Sequence, residues 1–247
     1  MLLLIDAGNT RIKWALAEPD ALAGDWIASG AVPHAGIDTL AAAWGAFNIS
    51  ATLMSNVAGA AIAARLAHAA PALSLQPFTS SPARAGVRNG YRNPAQLGSD
   101  RFAAAIGARH LCPGRAVIVA TCGTATTVDA LDADGRFVGG MILPGLGLMA
   151  ASLARNTAQL PQLPQVPEDA AAPAATGFAD NTDDAILSGC ISAQAGAIER
   201  ACALLAAETC LLSGGAAKYI APALRAPFQL IDNIVLLGLH AAALSKE

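Results

Sequence analysis

The stretch LLLIDAGNTRIKWAL (residues 2–16) predicts a buried strand, a polar glycine turn and a second strand. Asp6 ends the first apolar run, and Gly8 allows the backbone to approach a ligand closely. Asn9 and Thr10 then add short hydrogen-bonding side chains before apolar residues resume. This combination is typical of a hairpin that holds phosphate.

The same pattern returns in AVIVATCGTATTVD (residues 116–129), again with Gly and Thr between two strands. One copy alone is compatible with an ordinary tight turn, in which Gly, Asn and Asp are common. Neither copy has the Gly-Lys-Ser/Thr ending of a P-loop. Neither is a dinucleotide fingerprint, which needs a helix where a second strand follows here. Two copies together predict two related lobes that face one nucleotide.

The order of the patterns predicts an α/β protein with mixed sheets and two lobes. The first lobe spans residues 1–113 and contains the first hairpin and a polar segment at 90–101. The second spans residues 114–247, with the second hairpin, a Gly214-Gly215 turn on the adenine side and helices at a dimer interface. Within these lobes we expect strands at 51–56 and 73–77 and helices at 60–69, 102–109 and 182–207. We also expect an extended proline-rich connection at 161–167 and a low-complexity loop at 170–175.

Composition narrows the function classes. A 54% hydrophobic content over 247 residues is ample for a core, and a net charge of −3 argues against nucleic-acid binding. The uncharged stretch 137–154 contains glycines and a proline that would break a spanning helix, so no membrane partner is expected. Five cysteines without a Cys-x-x-Cys pair favour buried thiols over disulfides or zinc, and no export signal precedes residue 2. These features predict a cytoplasmic protein.

Polar and cationic residues crowd the segment GYRNPAQLGSDR at 90–101, just before a helical pattern. Ser99 or Asp100 is placed to cap that helix. Alternatively, the positive helix end and the neighbouring Arg101 favour the ionised form of Asp100, which then accepts a proton from a hydroxyl.

Phosphoryl transfer needs positioning and charge stabilisation, and the chain offers a candidate for each part. Asp6 is placed to act on magnesium through water, and Lys13 to supply positive charge, although Lys13 is equally compatible with a solvated strand position. Asp100 is placed to orient the acceptor hydroxyl. The residues expected to line the phosphates are Gly8, Asn9, Thr10 and Thr124.

Four groups of residues together resemble the type III pantothenate kinase family over most of the chain. They are the hairpin at 6–13, the segments GYRNP (90–94) and GSDR (98–101), the turn GTATT (123–127), and the run from Gly139-Gly140 through PGL (144–146) to TAQLP (157–161). The resemblance implies a duplicated ribonuclease-H-like fold of the sugar kinase, heat-shock protein and actin superfamily. It also implies a homodimer that phosphorylates pantothenate with ATP and Mg²⁺ in coenzyme A synthesis.

Carried over by position, the resemblance makes Asp100 the proton acceptor. The implied ATP contacts are Asp6, Ala7, Gly8, Asn9, Thr10, Arg11, Ile12, Lys13 and Thr124. The implied pantothenate contacts are Tyr91, Gly98, Ser99, Asp100, Arg101 and, from the second subunit, Thr182, which by itself is typical of an ordinary helix cap.

The chain departs from the family pattern at Thr121, where an aspartate usually helps to hold a monovalent cation. A neutral hydroxyl attracts K⁺ or NH₄⁺ less than a carboxylate does, so we expect altered or lost dependence on these ions. Two other functions stay open: an accessory transcriptional regulator of the same fold, and another small-molecule kinase of the superfamily.

Overall fold

The computed structural model describes residues 1–157, 160–161 and 177–245, which form two compact units. The first contains Met1–Pro113, Gly135–Phe137 and the residues from Asn233 onward, and the second contains Gly114–Asp134 and Val138–Asp232. The sequence-based division assigns the last segment to the second lobe. In the structure this segment belongs to the first unit, because its helix packs there.

The first unit is built on a five-stranded sheet. Its strands are β1 (Leu2–Ala7), β2 (Arg11–Ala17), β3 (Ala28–Pro33), β4 (Ala51–Asn56) and β5 (Pro77–Phe78). They lie in the order β3-β2-β1-β4-β5, with β1 antiparallel to β2 and parallel to β4. The first hairpin therefore occupies the middle of this sheet.

The second unit repeats this plan. Its strands are β8 (Val117–Cys122), β9 (Ala125–Leu131), β10 (Arg136–Pro144), β11 (Thr209–Ser213) and β12 (Phe228–Leu230). They lie in the order β10-β9-β8-β11-β12, with β8 antiparallel to β9 and parallel to β11. Each strand thus corresponds to one strand of the first sheet, as the repeated hairpin predicts.

Two short strands complete the first unit, β6 (Ala83–Arg84) and β7 (Val87–Asn89). They pair with each other, and β7 also pairs with Arg136 and Phe137, the first residues of β10. These strands carry the chain toward the polar segment that follows residue 89.

Helices cover the first sheet. They are α1 (Leu40–Gly45), α2 (Ala60–Ala69), α3 (Ser99–Leu111) and α7 (Ile234–Leu244). Leu40 and Trp44 of α1 and Leu66 of α2 share a buried cluster with Ile12 and Leu16 of β2. Since α7 also contacts β1, that strand is covered by helices and reads as a nearly continuous apolar run.

The second unit contains α4 (Leu146–Asn156), the long α5 (Thr182–Leu205) and the short α6 (Ala217–Ile220). Ile198 of α5 and Ile220 of α6 pack with Ile118 and Leu212 in the core of this unit. The helix expected over 182–207 is therefore present, and it positions buried side chains against the second hairpin.

The strand at 51–56 and the helix at 60–69 form as predicted, but the prediction of a strand at 73–77 was wrong. Within that segment only Pro77 pairs with β4, followed by Phe78 just beyond it. The Thr52 hydroxyl instead donates to Ser74 O at 2.6 Å and accepts from Gln76 N at 2.8 Å, so a side chain replaces part of the ladder. The expectations at 161–167 and 170–175 lie almost entirely outside the described residues.

Within the described residues no helix has both the length and the apolar character needed to span a membrane. The uncharged stretch at 137–154 forms most of β10, which ends at Pro144, then Gly145 as the N-cap of α4, and most of that helix. A continuous helix is therefore absent from this stretch, as its glycines and proline predict.

Helices α3 and α7 approach each other so closely that only glycine fits at their crossing. A Cβ at Gly107 would lie 2.7 Å from Ile234 O, and one at Gly238 would overlap Ala103 O. We expect Gly238→Ala to lower the free energy of unfolding by about 3 kcal/mol through overpacking, and the melting temperature by roughly 6–12 °C. Thermal unfolding followed by circular dichroism measures both.

The matched control is Gly189→Ala in α5, where a Cβ would meet no atom within 4 Å. Alanine has the higher helix propensity, so this variant is expected to gain up to about 1 kcal/mol. Equal stability changes for the two variants would contradict the close helix crossing.

Candidate active site

The first hairpin turn is fixed by backbone and histidine contacts. Gly8 N donates to Arg11 O at 3.1 Å, and the His34 ring donates from Nε2 to Gly8 O at 2.9 Å. Asn9 and Thr10 are exposed at the tip, as expected for residues that bind a ligand. The side chains of two other implied ATP contacts, Ala7 and Ile12, are buried in the core, so only their backbone is available to a nucleotide.

A polar row crosses three strands beside this turn. Asp6 is paired with Lys13 of β2 on one side and with Ser55 of β4 on the other. Paired residues on neighbouring strands point to the same face of a sheet. The carboxylate, the ammonium and the hydroxyl therefore share one face at the end of β1.

The row continues to the start of α3 through a hydroxyl pair. Ser55 Oγ and Ser99 Oγ are 2.8 Å apart, and Ser55 is fully buried. The predicted capping role of Ser99 or Asp100 is wrong, because the N-cap of α3 is Gly98 and no side chain caps it. Ser99 instead attaches the helix start to the sheet, next to Asp100.

Burial controls the two carboxylates. Desolvation raises the pKa of Asp6 from 3.8 to about 7, while Lys13 lowers it and Asp100 raises it further. Because the charge of Asp100 contributes to the raised pKa of Asp6, the two carboxylates lie within electrostatic reach of each other. Two neighbouring carboxylates resemble the arrangement that phosphate-transferring sites neutralise with a cation.

The pKa of Asp100 is also raised, chiefly by burial. Arg101 N donates to Asp100 Oδ1 at 2.8 Å, and this bond and the Arg101 charge both lower the pKa. The sequence predicted that the helix end and the cation would dominate, and that prediction was wrong in its net direction. The loss of solvation is the larger effect, and it makes Asp100 a stronger base.

Arg101 is almost completely buried between two rings. Its Nη1 donates to Tyr91 Oη at 2.7 Å, and its guanidinium carbon lies 5.6 Å from the Tyr91 ring centre and 5.7 Å from that of Phe137. The two rings meet edge to face. Since the cation is held by hydroxyl and π contacts, the structure places Tyr91 and Arg101 together as one unit beside Asp100.

Asparagine side chains shape the segment before α3. Tyr91 N donates to Asn89 Oδ1 at 3.0 Å, and Asn89 Nδ2 donates to Pro94 O at 3.1 Å. Gly98 lies against the catalytic candidate, since a Cβ there would be 2.6 Å from Asp100 Oδ1. The implied substrate segment is therefore held by its own backbone and by Asn89.

In the second unit, a tight turn joins β8 to β9. Gly123 N donates to Ala125 O at 3.0 Å, and Thr124 is exposed. Gly145 N donates to Thr124 O at 3.0 Å, so the start of α4 lies against the turn. Gly214 has φ +92°, and its Cα approaches the Cys122 backbone where a side chain would collide.

Thr121 and Thr182 have separate surroundings in this unit. Thr121 is half-buried at the end of β8, where its cross-strand neighbours are Thr127 and Ser213, so three hydroxyl residues share this row. The buried Thr127 Oγ1 has no hydrogen-bond partner among the described residues. Thr182 is exposed as the first residue of α5. The helix cap predicted at Thr182 is wrong, because the N-cap is Asn181, whose Oδ1 accepts from Asp184 N.

The donors that suit a metal are few. Across the described ranges, no group of three or more His, Cys, Asp or Glu side chains is arranged to hold an ion. Asp6 nevertheless offers the hard oxygen that Mg²⁺ prefers, and Mg²⁺ commonly binds through one carboxylate, waters and substrate phosphates. The five cysteines are free and buried, and Cys122 fills core space.

Several contributors carried no clear sequence signal. Ser55, His34 and Phe137 contact the site from separate elements, and Gln194 of α5 is hydrogen-bonded to Thr126, just after the second turn. For Ser55 a weak signal existed, since polar residues at the carboxyl end of a parallel strand often face a ligand. In the implied run at 157–161, Ala158 and Gln159 lie outside the described residues.

Comparison with known proteins gives consistent matches. The model of the family described as type III pantothenate kinase matches residues 2–204. The chain is 55% identical to a type III pantothenate kinase from Herminiimonas arsenicoxydans over 257 aligned residues, covering 99% of this chain and 98% of that protein.

Two solved structures share the fold at lower identity. One, from Campylobacter jejuni and described as a transcriptional activator of the Baf family, has a TM-score of 0.62, 18% identity and coverage of 96% of this chain and 94% of that one. The other, from Sinorhizobium meliloti and described as a 2-dehydro-3-deoxygalactonokinase, has a TM-score of 0.58, 19% identity and 98% coverage of both chains. With the repeated sheet order, these matches confirm the duplicated ribonuclease-H-like fold.

Proposed function

The chain belongs to the type III pantothenate kinase family, and from this premise we propose that it transfers the terminal phosphate of ATP to pantothenate. The product is 4'-phosphopantothenate, in the first step of coenzyme A synthesis. One observation supports the proposal most: Asp100, a half-buried carboxylate with a raised pKa, lies within electrostatic reach of Asp6 at the end of the polar row. We also propose a cytoplasmic location, in keeping with five free buried thiols.

In the proposed reaction, Asp100 accepts the proton of the pantothenate hydroxyl. The hydroxyl oxygen forms a bond to the γ-phosphorus, the bond between that phosphorus and the β-γ bridging oxygen breaks, and ADP leaves. Tyr91 and Arg101 orient the acceptor, together with Gly98 and Ser99. Because their positions are fixed by mutual contacts, little ordering is needed when substrate binds.

The first hairpin binds the ATP phosphates in this proposal. Exposed Asn9 and Thr10, Arg11 and the Gly8 backbone supply hydrogen bonds, Thr124 contributes from the second hairpin, and Lys13 supplies positive charge. Asp6 would hold Mg²⁺ through water. When bound, Mg²⁺ would neutralise phosphate charge and would offset the repulsion between Asp6 and Asp100.

We further propose a homodimer in which Thr182 of one subunit completes the pantothenate site of the other. The second unit supports this by exposing Val138, Ile142, Leu148 and Leu153 on β10 and α4. Monomeric proteins rarely leave several large apolar side chains in one region uncovered. No other part of the proposal depends on this assembly.

A subunit-mixing experiment tests the shared site. Asp100→Asn and Thr182→Ala proteins are each expected to be nearly inactive. After mixing and re-equilibration, half of the dimers are mixed, and each has one site with both native residues. Specific activity is therefore expected to recover to about a quarter of the parental value for a two-fold symmetric dimer. Mixtures that stay inactive while exchanging subunits would exclude the shared site.

The hydroxyl row at Thr121 predicts weak dependence on monovalent cations. Thr121, Thr127 and Ser213 offer neutral oxygens where the family usually has a carboxylate, so the field that attracts K⁺ is reduced. Activity titrated with K⁺ or NH₄⁺ is expected to change by less than about threefold from the level in Tris or choline salts. Thr121→Asp is expected to introduce a requirement, and strict dependence in the parent protein contradicts this prediction.

An acceptor panel discriminates the proposed function from the alternatives. A coupled assay of ADP release is expected to show turnover with pantothenate and none with sugars, whereas the reverse result favours another kinase of this fold. The other alternative, an accessory transcriptional regulator of the same fold, is tested by DNA binding. A gel shift at physiological salt is expected to be negative, because the net charge of −3 provides no general attraction to phosphate.

A further inference from the structure

Gln194 is a fully buried amide in the middle of α5 whose two ends are both bonded. Its Oε1 accepts a hydrogen bond from Thr126 Oγ1 at 2.8 Å, and its Nε2 donates to Pro144 O at 2.9 Å. Nε2 also lies 3.5 Å from Met149 Sδ. One side chain therefore connects β9, the end of β10 and α4.

These contacts lie on both sides of the second hairpin turn. Thr126 follows Thr124 by two residues in the chain. Pro144 immediately precedes Gly145, whose N–H donates to Thr124 O at 3.0 Å. The amide thus closes a loop of contacts running from the turn through Gly145 and Pro144 to Gln194, and back through Thr126.

We propose that Gln194 is a positioning residue for nucleotide binding, which fixes the Gly123-Thr124 turn through Thr126 and Pro144. This inference rests on the proposed function, in which Thr124 contacts ATP. An apolar side chain would fill the same space without the cost of burying an amide. Both polar ends of Gln194 are directed to the two elements that hold the turn, so the amide specifies the conformation of that turn.

The test compares variants that remove these hydrogen bonds with one that keeps them. Gln194→Met retains length but loses both bonds, and its KM for ATP is expected to rise about tenfold, equivalent to about 1.4 kcal/mol. Thr126→Val loses the hydrogen bond to Gln194 Oε1 and is expected to raise the KM for ATP severalfold. Thr126→Ser keeps the hydroxyl and is expected to retain the parental KM for ATP. The KM for pantothenate is expected to stay within about twofold in all three, because the acceptor contacts are on other residues.

Ser188→Ala is the matched control. Ser188 is also buried on α5, and its Oγ donates to Gly177 O at 2.6 Å, away from the turn. This variant is expected to lose stability with no change in the KM for ATP. A Gln194→Met protein that loses only thermal stability, or whose two KM values rise together, overturns the positioning role.

A binding measurement separates this inference from the proposed function. Calorimetric titration with ADP and Mg²⁺ requires no turnover, so it applies even if the parent protein fails to phosphorylate pantothenate. Weaker ADP binding by Gln194→Met, with parental binding by Ser188→Ala and Thr126→Ser, supports the role of Gln194. Unchanged ADP affinity in Gln194→Met overturns it, whatever the acceptor proves to be.

Discussion

Asp100→Asn is expected to lower kcat for pantothenate phosphorylation by about 10³-fold, the usual effect of removing a general base. The amide retains the shape of the carboxylate and still accepts a hydrogen bond from Arg101 N, so the start of α3 is expected to stay in place. Neither KM is expected to change more than severalfold, because the contacts of Tyr91, Arg101 and the first hairpin remain. Steady-state kinetics with both substrates varied measure the effect.

The same variant offers a readout that requires no turnover. Because the charge of Asp100 raises the pKa of Asp6, Asp100→Asn is expected to lower the pKa of Asp6 from about 7. Carboxyl ¹³C NMR through a pH titration reports this shift. Asp38→Asn, at an exposed carboxylate beside Arg65, is the matched control and is expected to change neither activity nor the Asp6 titration. Near-parental turnover of Asp100→Asn removes Asp100 from the proposed mechanism.

Asp6→Asn is expected to make the protein more stable at pH 8 and less active. The pKa of Asp6 is 3.8 in an unperturbed chain and about 7 in the folded protein. The folded state therefore holds the proton more tightly, so this group reduces stability progressively as pH rises from about 4 to about 7. Above pH 7 the full cost applies, on the order of 2–4 kcal/mol, and the neutral amide removes it.

Activity changes in the opposite direction for the same variant. Removing a carboxylate that acts on Mg²⁺ through water is expected to lower activity by about 10–100-fold and to raise the Mg²⁺ concentration required. Urea unfolding at pH 5 and pH 8 is expected to show a larger gain in stability at pH 8. An equal gain at both pH values, or unchanged activity, would falsify the role given to Asp6.

Local sequence patterns predicted the repeated part of the fold well. The strand at 51–56 and the helix at 60–69 have the predicted bounds, because in each segment the apolar periodicity and the flanking turn residues indicate the same element. The two hairpin patterns predicted the duplication, which is seen in the matching strand orders of the two sheets. By contrast, the segment at 73–77 has strand-like composition, but the Thr52 side chain takes the bonds that a strand would need.

The candidate site was predictable only in part. Asp6 and Asp100 were found from motifs, but the net direction of the Asp100 pKa depends on how much solvent the folded chain removes. Ser55 and Gln194 contact their partners across 44 and 68 residues of sequence, respectively. A contact of that range depends on tertiary packing, and neither residue type marks it in advance.

Phosphorus NMR of the parent protein with ATP, Mg²⁺ and pantothenate tests the central claim most directly. We expect a single phosphomonoester resonance, coupled to the methylene protons of the 4'-hydroxyl position, to grow in proportion to ADP. No growth is expected with Asp100→Asn. Release of inorganic phosphate alone, or a phosphomonoester formed from a sugar and none from pantothenate, would contradict the account.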